Sequence, residues 1–427
     1  MKWHGRLAPG HERHDGELHI GGVRAGELSA TYGTPLLVID YDILDAAVAQ
    51  FLEASTPHGV EVAYAGKALL LVALARHLRH TSLQLDVCSL GELEAAERAG
   101  FPAERISFHG CGKTDDELEA IAEQRVASVI VDNLDELRRL TARPAAQAIP
   151  VLLRINTGIE AHTHEFVRTG GAKTKFGFDP DTLPAALNLL AESSNLQFEG
   201  VHAHIGSQIY QTQAFVENAS VLMERAAYIA GRGLHCKRVI VGGGFGVAMH
   251  PQESAGLEIA ATLNAVADAI VKSAERWNLP LPRIGIEPGR ALIGAAGTTL
   301  YQVMAVKSEF GRRFAIVDGG VFENPRPALY DAYHHAYVAG RGEAGLTETI
   351  LCGRSCENDQ LGIAQLPQDL TSGETIAMCT TGAYTYSMAS NYNRFARPAV
   401  VAVRAGTHTL IARRETLDDV LRNDCDE

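Results

Sequence analysis

Short β-prone runs alternate with helical stretches between residues 42 and 286, and this rhythm constrains the chain more than any other feature. A helical stretch at 42–54 opens the series. The β-prone runs fall at 60–64, 83–87, 105–108, 128–131, 151–155, 197–204, 238–241 and 283–286, with helix-compatible segments between them. A strand–helix–strand repeat brings successive strands together in parallel, because the helix carries the chain back to the starting end. Eight such units are the count of a (β/α)8 barrel. Local signals agree with this reading. Ser89 with Glu92, and Thr114 with Glu117, have the spacing of capping boxes at helix starts. Phe215, Ala219, Leu222, Ala226 and Ile229 share one helical face. The stretch 156–180 is long and polar without periodicity, which in a compact domain points to a functional loop.

After Gly289 the rhythm changes. Runs at 299–306, 313–318, 374–379 and 399–403 read as strands without long helices between them. Residues 19–39 also read as β. The expected architecture is therefore α/β plus all-β: a barrel over 41–288, a C-terminal β domain over 289–427, and an N-terminal segment, 1–40, that joins the β domain. With 46% apolar residues in 427, the chain can fill two cores, and disordered or fibrous classes are excluded. The net charge is 38 − 51 = −13, with no basic block, so no nucleic-acid partner is expected. The longest apolar run, near 69–75, is too short to span a membrane. The N-terminus lacks the apolar stretch of a signal peptide. Seven scattered cysteines, an odd number, suggest reduced thiols and a cytoplasmic protein.

In such a barrel the chemistry lies at the C-terminal strand ends. Those ends deliver Lys67; Asp86 and Cys88; His109; Asp132; Arg154; His204 and then Ser207; Gly242-Gly243-Gly244; and Glu287-Pro288-Gly289-Arg290. Each has a plain reading. Lys67 could be a solvated loop lysine, the glycines a flexible turn, Asp86 a strand-end cap, and Glu287 a salt-bridge partner of Arg290. His202 and His204 share a strand face, but a metal-spaced partner set is missing, so no metal is expected. Cys352 and Cys356 lack a second pair for zinc. Read together, the residues specify one requirement list. A lysine in a barrel mouth can condense with an aldehyde. A glycine turn after the seventh strand can take a phosphate. A carboxylate can keep a pyridine nitrogen protonated, making the ring an electron sink. These are the needs of pyridoxal phosphate.

The ordered motifs carry a resemblance over most of the chain. They include Tyr64-Ala65-Gly66-Lys67, His202-Ala203-His204-Ile205-Gly206-Ser207-Gln208, Gly242-Gly243-Gly244-Phe245-Gly246, Glu287-Pro288-Gly289-Arg290, Arg326-Pro327-Ala328-Leu329-Tyr330 and Cys356-Glu357. Ala161-His162-Thr163-His164 and Gly382-Ala383-Tyr384 add to them. The chain resembles the diaminopimelate decarboxylase family of alanine-racemase-like (fold type III) pyridoxal-phosphate enzymes. The resemblance implies decarboxylation of meso-2,6-diaminopimelate to L-lysine, the last step of lysine biosynthesis, in a head-to-tail homodimer with shared sites. It implies that Lys67 carries the cofactor, His204 stacks on its ring, Glu287 binds the ring nitrogen and Asp86 also belongs to the cofactor site. Ser207, Gly243, Gly244, Gly289, Arg290 and Tyr384 would hold the phosphate. Arg290, Arg326, Tyr330 and Tyr384 would meet the substrate. Cys356 would donate a proton and Glu357 recognise the distal ammonium, both in the partner's site.

The chain departs from the family pattern at Leu69, which replaces an asparagine, and at Thr157 of Asn156-Thr157-Gly158, where the family has Asn-Pro-Gly. Cys356-Glu357-Asn358-Asp359-Gln360 stands where the family has Cys-Glu-Ser-Gly-Asp. Other readings remain: a decarboxylase of another basic or diamino acid, a racemase, or an inactive regulatory binder.

Overall fold

The computed structural model describes residues 3–159, 174–253, 256–342 and 344–425. The chain forms two compact units. One comprises Ala49–Gly246 and Leu257–Gly289; the other comprises Met1–Val48, Val247–Gly256 and Arg290–Glu427.

The first unit is a closed parallel barrel. Its strands are β1 (Glu61–Ala65), β2 (Gln84–Val87), β3 (Ile106–Phe108), β4 (Ser128–Val131), β5 (Ile149–Arg154), β6 (Leu196–His202), β7 (Arg238–Ile240) and β8 (Arg283–Ile286). Each pairs with the next, and β8 returns to β1 through Gly285 opposite Glu61 and Ile286 opposite Val62. Most strand residues are buried, as in a parallel sheet covered by helices, while β1 keeps a partial alternation with Glu61 and Ala63 half-buried. Ile130, Leu152 and Ile240 pack together inside. The helices form where the pattern allows. The Thr114–Glu117 capping box is complete. At Ser89 only half of it forms, because Glu92 instead accepts the Cys88 N–H. Helix Thr212–Ala230 buries Phe215, Ala219, Leu222, Ala226 and Ile229, the face expected from their spacing.

The second unit is a nine-stranded sheet built around the long strand Gly297–Glu309. That strand pairs with Arg312–Val317, Thr375–Cys379 and Leu36–Asp40. Leu36–Asp40 is buried at every position, because it runs between Gly297–Glu309 and Ala399–Arg404 in the sheet. Four aliphatic side chains there contribute roughly 1.5–3 kcal/mol each on burial. The N-terminal reading as continuous β is corrected: helix Ala25–Tyr32 lies between a small three-stranded sheet and Leu36–Asp40. Strands Ala336–Val338, Leu346–Cys352, Gln360–Pro367 and Thr407–Ala412 are additional to those expected. No helix among the described residues is long and apolar enough to cross a membrane.

Candidate active site

The strand ends of the barrel unit line a cavity of about 280 Å³, comparable to a small-ligand site. Lys67, Asp86, Cys88, His109, Arg154, His202, His204 and Glu287 all contribute to its wall. Lys67 sits on the single turn Gly66–Ala68 directly after β1 and is exposed. The buried Tyr64 hydroxyl braces this turn by donating to the Leu69 carbonyl at 2.6 Å.

Glu287 is the electrostatic centre. His202 Nε2–H donates to its Oε2 at 2.9 Å, and His109 Nε2 lies 3.4 Å from both Glu287 Oε1 and Asp86 Oδ1. Burial alone would raise the Glu287 carboxyl. The facing imidazoles of His202 and His109, the His202 hydrogen bond and the Lys67 charge outweigh burial and hold it below the ordinary carboxylate range. Asp86 is raised, by burial first and then by the Glu287 charge. Burial lowers His202 to about 4 and keeps it a neutral donor. His204 is held well below its usual value by burial, then by Lys67 and Arg154. Its Nδ1 accepts the Gly243 N–H at 3.1 Å, which leaves the proton on Nε2.

Gly242-Gly243-Gly244 forms a turn that only glycine can make here. Gly242 and Gly244 have φ +78° and +96°, and a Cβ on Gly243 would run into the Glu287 carbonyl. The turn thus sits against the ends of both β6 and β8. The Gly243 N–H donates to His204 Nδ1 and so links the turn to the end of β6. Ser207 is half-buried just beyond β6, and Gly289 is buried after β8.

The other unit gathers a second group. Arg290 begins the short helix Arg290–Ile293, and Arg326 begins Arg326–Tyr330. The Arg290 guanidinium lies 4.8 Å from the Tyr384 ring centre. The Arg326 guanidinium lies 5.8 Å from that ring and 5.4 Å from the Tyr330 ring. Both arginines are buried. Burial, then the Arg290 charge, lowers Arg326 to about 9. Arg326 Nε has no hydrogen-bond partner among the described residues. Cys356 and Glu357 are exposed on the loop after Leu346–Cys352. The Tyr392 hydroxyl donates to Glu357 Oε1 at 2.6 Å, and the Cys356 N–H donates to Asn393 Oδ1 at 3.0 Å.

Two plain readings of the sequence are therefore corrected. Asp86 faces His109 rather than serving only as a cap, and Glu287 is partnered by His202 and His109. His109, His202 and Arg154 belong to the cavity although they were not among the expected site residues. Position at a strand end was the available signal for His109 and Arg154. The Ala161-His162-Thr163-His164 motif lies outside the described residues, as does most of the polar stretch 156–180.

The donor atoms of His109, His202 and Glu287 lie within 4.8 Å of one another, close enough to hold a metal ion. The set also fits a protonated pyridine nitrogen. Glu287 Oε1 is buried without a hydrogen-bond partner among the described residues, the other oxygen is held by a neutral imidazole, and an exposed lysine shares the cavity. An ionised carboxylate with one unused lone pair is the complement of a ring N–H⁺.

Residues 44–294 match the family described as "Pyridoxal-dependent decarboxylase, pyridoxal binding domain". The diaminopimelate decarboxylase of Bacillus subtilis is 40% identical over 420 residues, covering 96% of this chain and 95% of that protein. The solved diaminopimelate decarboxylase of M. jannaschii superposes with a TM-score of 0.91 at 29% identity, covering 98% of each chain. The Helicobacter pylori diaminopimelate decarboxylase complexed with L-lysine superposes with a TM-score of 0.86 at 29% identity, covering 93% of this chain and 98% of that one.

Proposed function

The chain belongs to the pyridoxal-dependent decarboxylases of the diaminopimelate decarboxylase family, and from that premise we propose that it converts meso-2,6-diaminopimelate to L-lysine and CO2 with pyridoxal 5'-phosphate. The observation that carries this reading is Glu287, buried against the His202 and His109 imidazoles in a cavity that also holds Lys67.

When bound, the cofactor supplies a sink for the electron pair left at Cα as carbon dioxide departs. Lys67 would hold the cofactor, and Glu287 would keep its ring nitrogen protonated. His204, neutral and oriented by Gly243, would pack on the ring, and Asp86 would complete the cofactor site. Ser207, Gly243, Gly244, Gly289, Arg290 and Tyr384 are assigned to the phosphate. Diaminopimelate has two amino-acid heads, so one carboxylate must be retained while the other leaves. Arg326, with Arg290, Tyr330 and Tyr384, suits the retained one, since a buried guanidinium pairs a carboxylate bidentately. Cys356 would deliver one proton to Cα, balancing the one CO2 lost, and Glu357 would meet the distal ammonium. Both are exposed in a single chain, which supports a homodimer with shared sites. Seven free cysteines suit a reducing cytoplasm.

Carbon dioxide release from diaminopimelate, ornithine, lysine and arginine tests the substrate. Release from another amino acid, with none from diaminopimelate, would overturn it. Mixing Lys67→Ala and Cys356→Ala chains tests the dimer. Equal amounts re-assort to about half heterodimers, each with one intact site of two, so about a quarter of full activity should return. Recovery no greater than the sum of the separate variants, with heterodimers confirmed by mass, would show that the sites are not shared.

A further inference from the structure

Cys356 and Glu357 are exposed, so close packing does not fix them, and the backbone between 353 and 359 must be held in another way. Asp359, only 5% exposed, closes that loop. Its Oδ1 accepts the Val321 N–H at 2.6 Å, and its Oδ2 accepts the Ser355 N–H at 2.9 Å. Its carbonyl accepts the Gly353 N–H at 2.8 Å, and the Arg354 N–H donates to the Gly319 carbonyl at 3.1 Å. The carboxylate lies in a slot bounded by Gly320 and Gly353, and a Cβ on either glycine would run into it. Asp359 itself has φ +45°, a conformation that aspartate tolerates better than most residues. Here one residue both makes the left-handed turn and ties the loop to the 319–321 turn.

A carboxylate that accepts backbone N–H groups makes charge-assisted bonds, roughly twice as strong as neutral ones. Removing it strands two donors, at Val321 and at Ser355, immediately before Cys356. We propose that Asp359 is the positioning residue that sets Cys356 and Glu357 for turnover. This rests on the reading of Cys356 as the proton donor.

The test uses the holoenzyme and three variants. Asp359→Gly keeps the positive φ and removes the carboxylate. Asp359→Asn keeps the shape and one acceptor, and serves as the conservative control if the glycine variant folds poorly. Cys356→Ser supplies the background for a double-mutant cycle. In Asp359→Gly, hydrogen exchange in peptides covering 319–323 and 353–359 should quicken about ten-fold or more, with cofactor content unchanged. The kcat should fall about ten- to a hundred-fold, with partial rescue in Asp359→Asn. In the Cys356→Ser background the same change should cost less than about three-fold. Unchanged exchange would remove the clamp. Quickened exchange with wild-type kcat and KM would show that the clamp does not serve turnover, and a fully additive loss would show that Asp359 acts elsewhere; either result overturns the proposal. Full activity of Cys356→Ser would instead overturn the proton-donor reading. The clamp would then stand or fall on exchange and on the KM set through Glu357.

Discussion

Glu287 in the barrel unit and Glu323 in the sheet unit are the same side chain, both buried, yet their environments push the two carboxyls in opposite directions. Glu287 faces two imidazoles and a lysine, and stays ionised. Glu323 accepts the Tyr301 hydroxyl at 2.5 Å and the Gly320 N–H at 3.3 Å, with Asp318 and Asp359 nearby. Burial raises it to about 8; the tyrosine bond and the Gly320 bond oppose this, and the two acidic neighbours add to it. Burial is common to both and so cannot explain the difference. The neighbours decide it. Imidazoles and a lysine opposite Glu287 outweigh burial and favour the anion, whereas at Glu323 the phenol bond is too little to offset burial and the acidic neighbours. A buried anion with a spare lone pair is poised for a cationic ring, and a protonated acid in a closed core is a structural strut.

The largest expected effect tests the barrel side. Lys67→Ala should reduce decarboxylation to background and remove covalent cofactor attachment. Borohydride reduction and peptide mapping of the unaltered protein should tag Lys67, and a tag on another lysine would overturn the cofactor assignment. Next, Glu287→Gln keeps the His202 contact and removes the charge. We expect kcat to fall about 10²- to 10³-fold, by analogy with losing one preorganised electrostatic group. The same substitution at Glu323 should leave kcat within about two-fold. Equal losses at the two positions would erase the distinction between them.

Arg326→Leu extends the comparison to a buried cation. Arg326 is eased only by tyrosines and opposed by Arg290, and its Nε has no hydrogen-bond partner among the described residues; under the proposed function a substrate carboxylate would meet it. Leaving that carboxylate unpaired should cost about 2–5 kcal/mol in kcat/KM for diaminopimelate. Unchanged kinetics in a folded variant would remove Arg326 from substrate binding.

The smallest effect is on stability. The folded-state pKa of Glu323 is raised, so its contribution is fully present below the ordinary value of 4.5 and is lost as pH rises toward about 8. Glu323→Gln removes that loss. Its unfolding free energy relative to wild type should therefore improve steadily between pH 4.5 and 8 and level off above. A difference that does not change with pH would show that Glu323 is already ionised in the folded chain.

Much of the site was legible because barrel geometry converts sequence position into place. Lys67, His204 and Glu287 each follow a strand and Asp86 lies one residue from the end of β2, so the alternating pattern alone put them on one rim. His202 was harder to place. It is in the strand rather than after it, and only the inward direction of that strand position brings it to Glu287. The strands Leu346–Cys352 and Gln360–Pro367 were missed because they alternate polar and apolar residues irregularly and flank a polar, charged loop. Helix Ala25–Tyr32 was read as strand because its short amphipathic pattern is weak beside the flanking β-prone residues.

The sequence by itself determined the eightfold alternation, the sheet that follows it, and which residue types reach the strand ends, because local periodicity and turn chemistry are written in neighbouring residues. Only the tertiary structure decided which of two buried glutamates is charged, and that Asp359 ties down the loop carrying Cys356. Those outcomes depend on groups dozens of residues apart, such as His109 and His202 around Glu287, or Val321 against Asp359. The electrostatic energy of a buried group is set by what surrounds it in space, and no local pattern records that.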